Sequence, residues 1–268
     1  MRIAFIGGGT MAEAILNGVL EKKLAAPADI AVVEPVEARR THLTHQYGVV
    51  TTDDAKSAVS AGEIVVLAVK PQDLPKAMSN IKGTLTASQA VLSIVAGVKI
   101  GAIIAGLAHP AVIRVMPNTP AQIGAAASVW TATPEVTPER LDEARSLLQA
   151  IGEETQVASE KYVDMATGLS GSGPAYVFMF IESLTDAGVH VGLPRDMAAK
   201  LAVQTVLGSA QLVQQSGRHP AELRNMVTSP GGTTVEGTLV LEASGFRASV
   251  IEAVEAAYEK ALLLGEEE

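Results

Sequence analysis

The first twelve residues constrain the fold more than any other stretch: an apolar run, Ile3-Ala-Phe-Ile, meets Gly7-Gly8-Gly9-Thr10-Met11-Ala12 before another element can form. A strand signal ending on Gly-x-Gly-x-x-Ala, then apolar positions at Met11, Ala14, Ile15 and Leu16, predicts strand, tight turn and helix. Gly7 permits the turn, Gly9 lets a pyrophosphate approach the backbone, and Ala12 lets the helix pack closely on the sheet. Free amides at the helix start favour negative charge. Gly7, Gly9, Thr10 and Met11 are therefore expected to bind a dinucleotide.

Further apolar runs at 30–34, 63–69, 91–96 and 112–116 lack alternation and are separated by segments able to hold helices, including Glu37 to Tyr47. That is the pattern of a parallel sheet covered on both faces. Residues 127–132 are expected as an edge strand, Pro138 to Ala150 as a helix and 155–157 as a last short strand. From about Glu160 strand signals stop, and helices are expected at 174–188, 195–216, 220–227, 234–243 and 247–264. The fold class read from this order is α/β: a Rossmann-like dinucleotide-binding domain over 1–158, then an all-helical domain over 159–268. Ala175 to Leu184 is apolar on nearly every helical face, so a second copy of the chain is expected to cover part of it, the alternative being burial between its own neighbouring helices. Glu266-Glu267-Glu268 is expected as a solvated terminus.

Composition removes whole classes of function. The chain of 268 residues has 20 Lys plus Arg against 29 Asp plus Glu, a net charge of −9, and no basic run to track a phosphate backbone. Nucleic acid and anionic membrane surfaces are not expected partners. With 0 Cys there is no disulfide, thiolate nucleophile or iron–sulfur ligand. The N-terminal apolar run is too short for a signal-peptide core, and the cytoplasm is the expected compartment. Aromatics are 3% of residues, so the core must be built from Ala, Val, Leu and Ile, side chains small enough for close helix packing. His42, His45, His109, His190 and His219 are scattered and no acidic cluster has metal-ligand spacing, so no metal site is expected.

Several other residues stand where ligands sit in open α/β folds. Glu34 ends the second strand, where an acid can accept hydrogen bonds from an adenosine ribose; Arg39 and Arg40, slightly further on, could instead receive a 2′-phosphate. The choice between NADH and NADPH stays open. Lys70-Pro71 follows the strand at 63–69, where Lys70 could border the cofactor or be a surface lysine before a helix that starts on proline. In Arg114-Val-Met-Pro-Asn-Thr-Pro120, Asn118 and Thr119 could hold the nicotinamide carboxamide or the substrate, or the prolines could make only a rigid turn.

Two polar glycine-rich segments interrupt the helical half. Leu169-Ser-Gly-Ser-Gly-Pro-Ala-Tyr176 precedes a helix whose first turn suits Pro174, and Thr228-Ser-Pro-Gly-Gly-Thr-Thr-Val-Glu236 gives Thr233 and Glu236 capping-box spacing. Amides and hydroxyls converging at a helix start can receive a small carboxylate, or can simply be ordinary caps. No histidine has a persuasive setting as a base for hydroxyl oxidation. Reduction of a protonated C=N asks less: the imine need only be held against a hydride donor with a hydrogen bond to its nitrogen.

Phe5-Ile-Gly-Gly-Gly-Thr-Met, Val69-Lys-Pro-Gln, Arg114-Val-Met-Pro-Asn-Thr-Pro, Leu169-Ser-Gly-Ser-Gly-Pro-Ala-Tyr and Val227-Thr-Ser-Pro-Gly-Gly-Thr-Thr, in that order, resemble the pyrroline-5-carboxylate reductase family over essentially the whole chain. The resemblance implies reduction of (S)-1-pyrroline-5-carboxylate to L-proline by NADH or NADPH, the last step of proline biosynthesis. It implies a helical domain that interleaves with a partner's, in homodimers that assemble further into a decamer, a pentamer of dimers. It places Ser229, Gly232, Thr233 and Thr234 at the substrate carboxylate, with Thr234 bonded to the ring nitrogen as the catalytic residue. Met116 to Thr119, Asn118 among them, fall near the nicotinamide, and Lys70 matches the lysine of the Val-Lys-Pro motif.

The sequence departs from many relatives at Asn225, where they carry an aspartate. Asn225 can replace a carboxylate that only orients the loop, but not one that supports a cationic imine. The rival expectations are a related NAD(P)-dependent reductase of another cyclic imine or a 3-hydroxy acid, and a nucleotide-binding regulatory protein without turnover.

Overall fold

The computed structural model describes residues 1–266; of the expected solvated tail, Glu267 and Glu268 lie outside the described residues. By packing, the chain forms two units: Met1–Ser172 together with the stretch from Ala256 onward, and Gly173–Glu255.

The first unit is an eight-stranded sheet in the order β3-β2-β1-β4-β5-β6-β7-β8. Its strands are β1 (Ile3–Ile6), β2 (Ile30–Val33), β3 (Val50–Thr52), β4 (Ile64–Leu67), β5 (Ala90–Ser93), β6 (Val112–Met116), β7 (Ala126–Ala132) and β8 (Gly152–Gln156). Between them run α1 (Thr10–Glu21), α2 (Glu37–Tyr47), α3 (Ala55–Ala61), α4 (Leu74–Ile81), α5 (Ile100–Leu107) and α6 (Pro138–Gln149). The five strands β1, β2, β4, β5 and β6 lack polar alternation because both of their faces are buried: Ile3 and Phe5 of β1 join one apolar layer with Ile15, Leu43 and Trp130, while Ala4 and Ile6 join another with Leu67, Leu74 and Ile103. At Gly18 a Cβ would come within 2.6 Å of the Ala150 carbonyl, so a glycine is what lets α1 lie against the end of α6.

The segment expected as an edge strand is interior. β7 pairs antiparallel with β6 on one side and parallel with β8 on the other, and it carries Trp130, fully buried. The polar β8, Gly-Glu-Glu-Thr-Gln, takes the edge, where charge discourages further strand pairing.

After β8 the chain continues as α7 (Glu160–Ala166), a π-helical turn (Thr167–Gly171) and α8 (Gly173–His190). The Leu169–Gly173 stretch is therefore no break between helices: Ser172 N reaches the Thr167 carbonyl at 2.9 Å, the i→i+5 step of a π turn. The composition shift near residue 158 thus precedes the packing boundary, since α7 and the π turn pack with the sheet.

The second unit contains α8, α9 (Arg195–Ser216), α10 (Pro220–Met226), α11 (Thr233–Ala243) and the first part of α12 (Phe246–Glu266). Small residues bring α8 and α9 together: a Cβ at Gly188 would lie 2.9 Å from that of Ala198. Phe178, Met179, Leu239, Val240 and Ile251 remain exposed in the single chain. The last turns of α12 belong to the first unit, where Ala261 is buried and Leu264 fills the space a side chain at Gly97 would need.

Candidate cofactor and substrate sites

The turn after β1 is built as the sequence requires. Gly7 has φ +101°, and a Cβ there would stand 2.7 Å from the Ala68 carbonyl oxygen; one at Gly8 would stand 2.8 Å from Leu43 Cδ1. At Gly9 nothing lies within 4 Å of that position, so the backbone is open to a close-approaching group. Gly9 is also the N-cap of α1 and no side chain caps this helix, which leaves its first-turn amides to an external anion. These features fit a dinucleotide pyrophosphate.

A cleft of about 540 Å³ opens here, with Gly7, Gly9, Glu34, Val36, Asp53 and Lys70 in its walls. Of the residues expected to bind cofactor, Gly7, Gly9, Glu34 and Lys70 are thus brought together. Thr10 is exposed on the first turn of α1, and Met11 is half-buried against the apolar layer beneath. Asp53 was not expected. It follows β3, a three-residue strand with no buried residue to mark it, and the legible signal was Asp54, which caps α3 by accepting from Lys56 N at 3.0 Å.

Glu34 is fixed through both oxygens: Gly8 N donates to Oε2 and Val36 N to Oε1, each at 3.0 Å. Arg40 donates to the carbonyls of Glu34 and Pro35 at 2.7 and 2.9 Å. Arg39 donates through Nε to the Gly8 carbonyl at 2.6 Å and through its terminal nitrogen to Glu13 at 2.5 Å. Glu13 also meets His42 and accepts from Tyr47. Burial alone would raise Glu13, but hydrogen bonds from Arg39, His42 and Tyr47 outweigh it and hold the carboxyl below its ordinary value. Burial, reinforced by Glu13, pushes the Tyr47 phenol up.

Met116 and Asn118, at the end of β6, gather around the π turn. Asn118 Nδ2 donates to the Ser170 carbonyl and Asn118 Oδ1 accepts from Ala127 N, so the side-chain amide is engaged within the protein. A side chain at Gly171 would meet Met116 Cε at 2.6 Å. Behind them lies a charge cluster around Arg114 whose acidic members no motif announced. The buried Arg114 donates to Glu160 at 2.7 Å and to the buried Asp164 at 2.8 Å; Asp164 also pairs with Lys99, and Glu160 accepts from Ile100 N at 2.7 Å. The signal was an arginine inside an otherwise apolar strand, which must have a partner.

In the second unit Ser229, Gly232, Thr233 and Thr234 share the turn into α11. Gly231 has φ +69°, and a Cβ at Gly232 would sit 2.5 Å from Ser229 Oγ. The expected capping box does not form. The N-cap is Gly232, with no side-chain cap, and Thr233 is the first helical residue. The start of α11 is thereby left open, with Thr234 half-buried beside it. Thr228 Oγ1 donates to the Arg224 carbonyl at 2.6 Å, and Asn225 Oδ1 accepts from the Arg224 guanidinium at 3.4 Å.

Comparison with known proteins agrees over the full length. Residues 160–264 match the family model for pyrroline-5-carboxylate reductase dimerisation, and residues 2–97 match a model described as NADP oxidoreductase coenzyme F420-dependent. The chain is 46% identical to a pyrroline-5-carboxylate reductase of Synechocystis sp. over 99% of its length and 98% of the relative's. It is 41% identical to that of Escherichia coli, over 97% and 96%. Among solved structures it superposes on the Coxiella burnetii pyrroline-5-carboxylate reductase with TM-score 0.91 at 35% identity, covering 98% of both chains. The Plasmodium falciparum pyrroline carboxylate reductase with NADP bound gives 0.90 at 31% identity, covering 99% of this chain and 98% of that one.

Proposed function

The chain belongs to the pyrroline-5-carboxylate reductase family and is an NAD(P)H-dependent reductase of pyrroline-5-carboxylate to proline; from this premise we propose how its residues divide the work. When bound, the dihydronicotinamide supplies hydride to C5 of the ring C=N, and a proton on nitrogen completes the amine. Gly7, Gly9, Thr10 and Met11 hold the pyrophosphate at the start of α1. Glu34 takes the adenosine ribose. Lys70, Met116 and Asn118 border the nicotinamide side, Met116 and Asn118 chiefly by shaping the π turn.

The substrate carboxylate goes to the turn made by Ser229, Gly232 and Thr233. The observation that carries this assignment is the uncapped start of α11, whose amides suit an anion of that size. Thr234, in the same turn, orients the ring nitrogen. A threonine hydroxyl has a poor pKa for a general acid, so its part is positioning, with the proton relayed from water or already present on the imine.

The second unit serves as a dimerisation domain, in keeping with the family-model match over residues 160–264 and with its exposed apolar side chains. A pentamer of dimers is the proposed larger assembly, to be checked by sedimentation velocity. The cytoplasm is the proposed compartment, in keeping with a cysteine-free chain.

The decisive experiment measures NADH and NADPH oxidation with 1-pyrroline-5-carboxylate in wild type, Thr234→Ala and Thr234→Ser. A loss of about 100-fold or more in kcat/KM for the alanine variant, with partial recovery by serine, supports a positioning role for Thr234. Full activity in Thr234→Ala would remove Thr234 from the site. Turnover of another cyclic imine or of a 3-hydroxy acid in preference to pyrroline-5-carboxylate would redirect the substrate assignment.

A further inference from the structure

We infer that Glu34 makes this reductase select NADH over NADPH, with Arg39 and Arg40 withheld from the phosphate that distinguishes the two coenzymes; the inference rests on the reductase reading. Glu34 stands at the end of β2, in the wall of the cleft that also contains Gly7 and Gly9. Each of its oxygens accepts one backbone amide, Gly8 N or Val36 N, at 3.0 Å. A carboxylate oxygen has about two acceptor positions, so both oxygens keep capacity for another donor. The 2′- and 3′-hydroxyls of an adenosine ribose are such donors. A 2′-phosphate brings roughly 1.5 to 2 negative charges and more acceptors, to a carboxylate that cannot swing aside without leaving two amides unpaired.

Reading the phosphate would require a cation free to meet it. Arg39 is held between the Gly8 carbonyl and Glu13, and Glu13 is itself fixed by His42 and Tyr47. Arg40 gives its Nη1 to the carbonyls of Glu34 and Pro35, and neither arginine is among the residues that line the cleft. Two further cations, Lys70 and Lys76, line the cleft, but they follow β4, and β4 and β2 flank β1 on opposite sides. The ribose end of the cleft therefore presents the Glu34 carboxylate, while Arg39 is held by the Gly8 carbonyl and Glu13, and Arg40 by one nitrogen on the carbonyls of Glu34 and Pro35, both outside the cleft wall.

The test is isothermal titration of NAD⁺ and NADP⁺ against wild type, Glu34→Ser and Glu34→Gln, with NADH and NADPH oxidation on pyrroline-5-carboxylate measured alongside. Wild type is expected to bind NAD⁺ at least about tenfold more tightly than NADP⁺, and both variants to narrow that ratio. Fluorescence of Trp130, the only tryptophan and fully buried, reports that each variant is folded. Equal or tighter binding of NADP⁺ by wild type overturns the inference, as does an unchanged ratio in the two folded variants. Discrimination in binding with no turnover by either coenzyme sustains the inference and sinks the reductase reading. Turnover that prefers NADPH does the reverse.

Discussion

Asn118 donates its side-chain nitrogen to the carbonyl of Ser170 across 3.0 Å and accepts the amide of Ala127 at 2.9 Å, so a single amide group ties the end of β6 to the π turn and to β7. Neither bond is available to an alanine. Asn118→Ala is expected to lower stability by about 1–3 kcal/mol, and to speed amide exchange within Thr167–Ser172 more than elsewhere. Exchange in the turn that matches wild type would show that Asn118 does not hold it.

Asp164 is the second anchor of the same region. Its side chain is 4% exposed and that of its partner Arg114 3%, so Asp164→Ala leaves a buried guanidinium short of one counter-charge. Breaking a pair of this kind costs about 3–5 kcal/mol. The double variant Arg114→Met/Asp164→Leu is expected to recover much of that loss, because Lys99 and Glu160 are exposed enough to be hydrated in its absence. Urea unfolding followed by Trp130 fluorescence measures both; a double variant no better than the single would place the stabilisation in the charges themselves.

Glu13 sets a pH dependence. Its folded pKa lies below the ordinary 4.5, so the stability it contributes is present above about that pH and is lost as pH falls through the lower folded value. Tyr47 works in the opposite sense: raised above its ordinary 10.0, it contributes stability that fades as pH climbs through the folded value. Melting temperature against pH should therefore fall less steeply on the acid side for Glu13→Gln than for wild type. Superimposable acid limbs would rule out Glu13 as their source.

Ala108 ends α5 in the left-handed conformation, with φ 54° and ψ 40°. A Cβ is disfavoured there by about 1–2 kcal/mol, part of which glycine gives back through its freer unfolded chain. Ala108→Gly should raise the urea midpoint by an amount equivalent to about 0.5–1 kcal/mol at unchanged slope. A lower midpoint would mean that the methyl group packs better than its backbone angles suggest.

Legibility in the sequence followed burial. β6 spans Val112–Met116 and α2 spans Glu37–Tyr47, residue for residue as read, because Pro110 and Pro117 bracket the first and Gly48, with φ 70°, stops the second. β3 escaped because Val50-Thr-Thr is short and not buried, so no apolar run marks it. At the π turn the composition of Leu169-Ser-Gly-Ser-Gly suits a loop; what makes it helical includes Asn118 and Met116, distant in the chain. Thr233 and Glu236 had the spacing of a cap, yet the backbone starts its helix one residue too early for Thr233 to serve as one. The Arg114 cluster was hidden for another reason: its acidic members lie 46 and 50 residues further along, and pairing at that separation leaves no local pattern.

The return of α12 to the first unit bears on how the protein is made. Ala261 is buried among residues synthesised much earlier, and Gly97 has Leu264 against it. A nascent chain stalled at residue 172 holds all eight strands but lacks the end of α12, which lies against Gly97 in the loop after β5. The nucleotide-binding half, first to leave the ribosome, is thus among the last parts to be completed, and a fragment cut after the π turn is an unfinished one.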